Sequence, residues 1–343
     1  MLQTMPKILF RVSGGNSPKT ELGFGHVYRA INLATQLTKC QIFFLLEDYG
    51  NAKQVLQKHG FKQIICLKKN ISSNDDFDKT CTVIKKHKID VVIVDKYGPK
   101  LKISYLSKLK KFSALVLVTD LNKKDFPVDL VVNGFIGFSN QIIYNKYNAK
   151  CLLGPKYQIL NKNFSKKIKH SKRNILLATF GGFDENNINE FLMNVLQHYK
   201  KRIKCKFILG PVRASSKNKL RKKFRGAGFK IISETKNMYS EMSDVKFGFC
   251  SGGLTSYEFA ALGKPFAIIS QIKHQLKTAN EWEKKGLALN LGMFNPKNKK
   301  KIENILEKLI SNENPLKQSK RKVIDGYGSE RVSKEILNLC GKK

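Results

Sequence analysis

Four short stretches of the 343-residue chain carry residue types that can do chemistry. In Gly23-Phe24-Gly25-His26-Val27-Tyr28-Arg29, a histidine flanked by glycines follows the apolar run Lys7–Val12. It opens a segment, His26–Leu37, whose Val27, Ile31, Ala34 and Leu37 repeat at helical spacing. A helix N-terminus carries free N–H groups and a partial positive charge, which favours neutral imidazole, and neutral imidazole can take a proton from water. His26 is therefore a candidate general base, with Gly25 and Arg29 beside it; a histidine that merely caps a helix after a tight glycine turn is the plainer alternative. In Ser251-Gly252-Gly253-Leu254-Thr255-Ser256-Tyr257-Glu258, two glycines let backbone N–H groups approach a ligand, and the following helix presents its N-terminus to an anion such as a diphosphate, without a metal. Glu258, one turn in, can accept hydrogen bonds from ligand hydroxyls, or it can close a T-x-x-E capping box with Thr255.

Two further stretches also follow apolar runs. Thr179-Phe180-Gly181-Gly182-Phe183-Asp184 offers close backbone approach to a substrate or to a facing domain, and Asp184 reads equally as an acid or as the N-cap of a helix starting near Asn186. In Val94-Asp95-Lys96-Tyr97-Gly98, Asp95 can fix its loop or orient His26, and Tyr97 offers an aromatic face and a hydroxyl; a turn at Gly98-Pro99 is the simpler reading. His59, His87, His170 and His198 sit in polar contexts and read as solvated side chains. The chain has no phosphate loop of the Walker type and no metal-ligand spacing, so neither metal nor cofactor is expected.

Strands alternating with helices must position these stretches. Gln41–Leu46, Gln63–Leu67, Asp90–Val94, Ala114–Thr119 and Leu130–Val132 continue the apolar grammar begun at Lys7–Val12, with a helix over Asp78–His87 and a helix end at Val55–His59. The polar stretch Asn161–Arg173 interrupts the pattern, which restarts at Asn174–Thr179 and runs through Asn187–Tyr199, Cys205–Leu209, Lys217–Arg225, Val245–Phe249, Pro265–Ser270, Gln275–Lys285 and Lys301–Ile310. The expected architecture is α/β: two Rossmann-like, doubly wound parallel-sheet domains facing a cleft, over residues 1–160 and 174–343, joined by a linker at 161–173. The second is expected to carry the C-terminal helices. Open α/β sheets bind ligands at the carboxyl ends of their strands, where all four stretches lie.

Bulk properties narrow the partners. The formal net charge of +38 and a pI near 9.9 would fit a polyanion, but the positive residues are mostly Lys scattered over every surface segment, not Arg and aromatics concentrated on one face. A specific nucleic-acid partner is not expected; faster encounter with an anionic small substrate is. The seven cysteines are scattered without CxxC spacing and read as reduced thiols. No run is long and apolar enough for membrane insertion, and no signal-peptide core is present, so a soluble cytoplasmic protein is expected.

GFGHVYR, VDKYG, FGGFD, and SGGLTSYEFAALGKP followed by HQLKTANEWEKKGLALNLG together resemble the UDP-2,4-diacetamido-2,4,6-trideoxy-β-L-altropyranose hydrolases of pseudaminic acid biosynthesis, relatives of the GT-B glycosyltransferases. The likeness runs from about Lys7 to Gly292. It implies a UDP-sugar substrate, His26 as the base that activates water, Tyr97 at the sugar, and the Ser251–Thr255 backbone with Glu258 at the nucleotide. Water would attack the anomeric carbon with inversion. The chain departs from the pattern at His274-Gln275, where Asn precedes Gln in the family, and at Lys96, where His is usual. An Asn donates to and accepts from a sugar amide, a role His274 fills only in part. A GT-B sugar transferase acting on a UDP-sugar donor is the alternative; it would need an acceptor site in the first half, and no strongly apolar amphipathic segment marks one there.

Overall fold

The computed structural model describes residues 5–15, 23–96, 101–120, 123–166, 175–182, 184, 186–211, 214–313, 315–316 and 323–340. They fall into two compact units, the first Met1–Lys162 with Asp325–Lys343 and the second Asn163–Ile324.

The first unit runs β1 (Lys7–Gly14), α1 (Gly25–Ala34), β2 (Gln41–Asp48), α2 (Ala52–Lys58), β3 (Ile64–Leu67), α3 (Ser73–His87), β4 (Val91–Asp95), α4 (Ile103–Leu109), β5 (Ala114–Val118), β6 (Leu130–Asn133), β7 (Gln141–Tyr144) and β8 (Lys150–Leu153). Its sheet order is β3-β2-β1-β4-β5-β6-β8-β7, parallel except for the β7–β8 pair. The central strands β4 and β5 are buried throughout, as a sheet covered on both faces requires. Strand alternation divides the side chains between two layers. Ile8, Phe10, Val12, Val91 and Ile93 pack with α1 residues Val27, Ala30 and Ile31. Leu9, Leu45, Val92 and Val94 pack with α3 residues Cys81, Val83 and Ile84 on the other face. Gly14 lets α1 close on the end of β1, because a Cβ there would lie 2.3 Å from Val27 Cγ2.

The second unit runs β9 (Ile175–Thr179), α5 (Ile188–Leu196), β10 (Lys204–Ile208), α6 (Ala214–Lys223), β11 (Lys230–Ile232), α7 (Met238–Ser243), β12 (Phe247–Cys250), α8 (Leu254–Ala261), β13 (Phe266–Ser270), α9 (Lys273–Lys284), β14 (Leu289–Met293) and α10 (Asn298–Ile310). Its sheet order, β11-β10-β9-β12-β13-β14, repeats the first six positions of the other sheet. Both are therefore doubly wound. Each has its topological switch point beside its first strand, between β1 and β4 and between β9 and β12.

The expected strands coincide with observed ones to within about two residues. One assignment differs. The last helix, α11 (Gly328–Leu337), belongs to the first unit, not to the second, where the sequence reading placed all of 174–343. Its apolar residues Val332 and Ile336 join the core around α1, Lys150 Nζ donates to Glu335, and Ser329 Oγ donates to the Leu160 carbonyl. No helix among the described residues is long and apolar enough to cross a membrane.

Candidate active site

The switch point of the first unit gathers three of the singled-out residues. His26 is the second residue of α1, whose N-cap Phe24 supplies no side-chain cap and whose first turn holds no acid. Asp95 ends β4. Between them, His26 Nδ1 lies 2.6 Å from Asp95 Oδ1, and Arg29 donates to the same carboxylate through Nε (2.8 Å) and Nη2 (2.7 Å). Burial raises the cost of ionising Asp95, but the Arg29 charge and the His26 contact outweigh it and hold the carboxyl near 2. An ionised carboxylate only accepts, so Nδ1 carries a hydrogen toward Asp95, and in a neutral ring that tautomer leaves Nε2 as the basic nitrogen. Of the two readings of Asp95, orientation of His26 is the one its contacts match. Arg29 has its guanidinium on Asp95 and is nearly buried.

Asp120, two residues beyond β5, lies 3.6 Å from Arg29 Nη1 and is about half-exposed. Sequence reasoning missed it; the available signal was an acid at the carboxyl end of an apolar run, Leu115-Val116-Leu117-Val118-Thr119-Asp120. Tyr97, expected at the ligand, lies outside the described residues. Gly25 has open space where a Cβ would stand, so no contact among the described residues demands glycine there.

A consequence for stability follows from the pKa of Asp95. A carboxyl held lower in the folded than in the unfolded chain stabilises above its unfolded value of 3.8 and loses that contribution as pH falls toward 2. Asp95→Asn is therefore expected to lose on the order of 2 kcal/mol at pH 7 and progressively less below pH 4. Urea denaturation of both proteins across pH 2.5–7 measures the difference; a pH-independent gap contradicts the assignment.

In the second unit the corresponding loops are held by their own contacts. Helix α8 starts at Leu254 with Gly253 as its uncapped N-cap, so Thr255 is already its second residue and the Thr255–Glu258 capping box does not form. Ser256 Oγ donates to the Gly253 carbonyl at 2.7 Å and accepts from Trp282 Nε1 at 3.1 Å, which stiffens the loop from beneath. Gly252 must be glycine because a Cβ would stand 2.5 Å from the Gln275 carbonyl, whereas Gly253 meets nothing closer than Ser251 Oγ at 4.0 Å. Ser251 and Glu258 are buried, and burial alone pushes the Glu258 carboxyl up to about 8.

Gln275 accepts from the Gln271 backbone N–H at 2.8 Å, and His274 is exposed on the first turn of α9. Ser270 Oγ and Gln271 Oε1, at the end of β13, are buried without a hydrogen-bond partner among the described residues. The Gly181-Gly182 turn meets Gly210 of the neighbouring loop, where a Cβ would lie 2.6 Å from Gly182 Cα, so its close approach is to its own unit. Asp184 accepts from the N–H groups of Ile188 (2.7 Å) and Asn189 (2.8 Å), yet it is not the N-cap: that position is held by Asn187, whose side chain makes no cap, and Asp184 ties down the first turn of α5 from three residues further back.

No family model matches the chain. The fold is GT-B-like. Its solved counterparts include Acinetobacter baumannii MurG, with a TM-score of 0.62 at 15% identity over 97% of this chain and 100% of that one. Staphylococcus aureus MnaA in complex with UDP also gives 0.62, at 14% identity over 99% of each chain. At such identities the likeness is one of fold. In sequence, the chain is 27% identical over 333 residues to the spore coat polysaccharide biosynthesis protein SpsG of Bacillus subtilis, covering 93% of this chain and 95% of that protein.

Proposed function

We propose that the protein hydrolyses a UDP-activated acetamido sugar of the diacetamido-trideoxyhexose class, releasing UDP and the free sugar for surface-glycan synthesis. The observation that carries this reading is the His26–Asp95–Arg29 arrangement at the start of α1. Asp95 holds the imidazole in the tautomer that leaves Nε2 basic. In this mechanism Nε2 takes a proton from water as the water oxygen attacks the anomeric carbon. The bond from that carbon to the diphosphate oxygen breaks, UDP leaves with the electron pair, and the configuration inverts.

The uncapped start of α8 offers backbone N–H groups to the diphosphate, and Glu258 accepts from ribose hydroxyls. Ser270 and Gln271, with polar atoms buried and unsatisfied, offer further hydrogen bonds beside that loop. Support also comes from the name of the Bacillus relative, a polysaccharide biosynthesis protein, and from the UDP bound to the MnaA counterpart.

Hydrolysis of UDP-2,4-diacetamido-2,4,6-trideoxy-β-L-altrose in water enriched in oxygen-18, with EDTA and no acceptor, tests the reading. The heavy oxygen is expected in the sugar and absent from UDP, with inverted configuration by NMR. Label in UDP would mean attack at phosphorus and would overturn it. The same dyad can deprotonate an acceptor hydroxyl, so a sugar transferase is the second reading. Binding of UDP without release until an acceptor is supplied would favour it.

A further inference from the structure

Behind the sheet of the first unit, on the α3 face, four charged side chains are buried together: Arg11 on β1, Glu47 on β2, Asp76 on α3 and Lys96 just past β4. Arg11 donates to Asp76 through Nε (2.8 Å) and Nη2 (2.9 Å) and to Glu47 through Nη2 (3.2 Å). Lys96 Nζ is paired with Asp76 and lies 4.7 Å from the centre of the Tyr105 ring. Ser13 (2.9 Å) and Tyr49 (2.6 Å) donate to Glu47, and Thr80 and Tyr105 hydroxyls approach Asp76 at 3.3 and 3.4 Å. The two cations and two carboxylates balance.

A balanced buried cluster is a poor route to stability, since well-packed apolar residues often do as well or better. What it supplies is direction: hydrogen-bonded charges hold atoms to a bearing that apolar contacts leave loose. The bearing here is specific. Ser13, Glu47 and Lys96 sit at the carboxyl ends of β1, β2 and β4, with Arg11 two residues further into β1, beneath the candidate site. Residues 95 and 96 are consecutive at the end of one strand, so their side chains leave on opposite faces. Asp95 goes to α1, where His26 and Arg29 bind it, and Lys96 goes to α3, where Asp76 binds it.

We propose that Lys96 is a positioning residue for the His26–Asp95 dyad. Clamped from behind through Asp76 and Arg11, it fixes the backbone from which the Asp95 carboxylate reaches His26. The proposal rests on reading His26 as the base, but its geometric content does not depend on any substrate.

The test is a pair of measurements on the full chain. Long-range nitrogen–proton NMR of the imidazoles, with His26 assigned from the spectrum of His26→Gln, reads its tautomer and titration midpoint directly. Among the described residues, the groups facing His26 are Asp95 and Arg29, with Asp120 beyond Arg29, and those facing Lys96 are Asp76, Arg11, Glu47 and Tyr105. In Lys96→Met these all remain, and Asp76 keeps Arg11.

The expected result is a mixture of tautomers in place of the single Nδ1–H form and a displaced midpoint. Turnover should fall about tenfold or more at an unchanged KM, with UDP affinity unaltered. Lys96→Arg should restore much of both signals. If the methionine variant does not fold, Lys96→Gln, which offers Asp76 only a neutral hydrogen bond, should shift the same signals in the same direction to a smaller extent. A folded variant whose His26 tautomer and midpoint match the wild type overturns the proposal. A shifted His26 spectrum in a protein that never turns over the UDP-sugar supports the positioning role and instead removes the hydrolase reading.

Discussion

His26→Gln is expected to slow UDP release from the activated sugar by a factor of about 10² to 10⁴, the usual worth of a positioned general base. Glutamine keeps a polar side chain at the first turn of α1 but has no nitrogen that can take a proton at neutral pH. The loop proposed to hold the nucleotide, with its own supports in Ser256 and Trp282, belongs to the second unit, so UDP affinity by calorimetry should change by no more than about twofold. The two readouts separate the roles of the residue. Loss of both, accompanied by loss of the folded near-ultraviolet signature, would make His26 a structural cap. Retention of turnover within about tenfold of wild type would remove it from the chemistry.

Glu258→Gln should produce an equally large effect of a different kind, a gain in stability with a loss in binding. Burial lifts the Glu258 carboxyl from 4.5 to about 8 in the folded chain. Below pH 4.5 folded and unfolded chains both hold the proton; between 4.5 and about 8 only the folded chain does. Stability therefore falls as pH rises through that window and levels off above it. Glutamine does not titrate. The variant should overtake the wild type across this range, by an amount on the order of 4 kcal/mol at pH 8, and lose the advantage near pH 4.5.

Denaturation of the second unit at several pH values measures the difference. UDP affinity at neutral pH should fall severalfold, the scale of a hydrogen bond to the uncharged carboxyl that a value of about 8 implies. A variant that gains stability but binds UDP as before would separate the buried carboxyl from the nucleotide.

Much of the fold was legible because a parallel sheet buried on both faces writes itself as uninterrupted apolar runs. Val91–Asp95 and Ala114–Val118 have no exposed residue to break the pattern. Strand β7 was not read for the opposite reason: as the edge of its sheet it exposes Ile142 and Tyr144, and Gln141–Tyr144 carries no buried run. The last helix is amphipathic in sequence, but periodicity records that a face is buried and not which sheet buries it. Its return to the first unit was invisible.

The pairing of His26 with Asp95 could be anticipated because topology brings the ends of β1 and β4 together at a switch point. The cluster behind them could not, although Arg11 inside Lys7–Val12 was a signal. A charge in the middle of a buried strand needs a partner, and only the tertiary structure names Asp76, 65 residues away. The Thr255–Glu258 capping box failed on two residues of register, since the N-cap of helix α8 is Gly253 and Thr255 already lies within its first turn.

The placement of α11 bears on the order in which the protein can be completed during synthesis. The second unit is continuous, Asn163–Ile324, and every strand and helix of its core has emerged from the ribosome before the last helix does. The first unit is made first yet finished last. Until Val332 and Ile336 arrive, the α1 layer and the Leu160 carbonyl lack the contacts that cover them. The half that carries His26 must therefore wait, partly uncovered, while its neighbour folds, and this is the interval in which a chaperone would find apolar surface to hold.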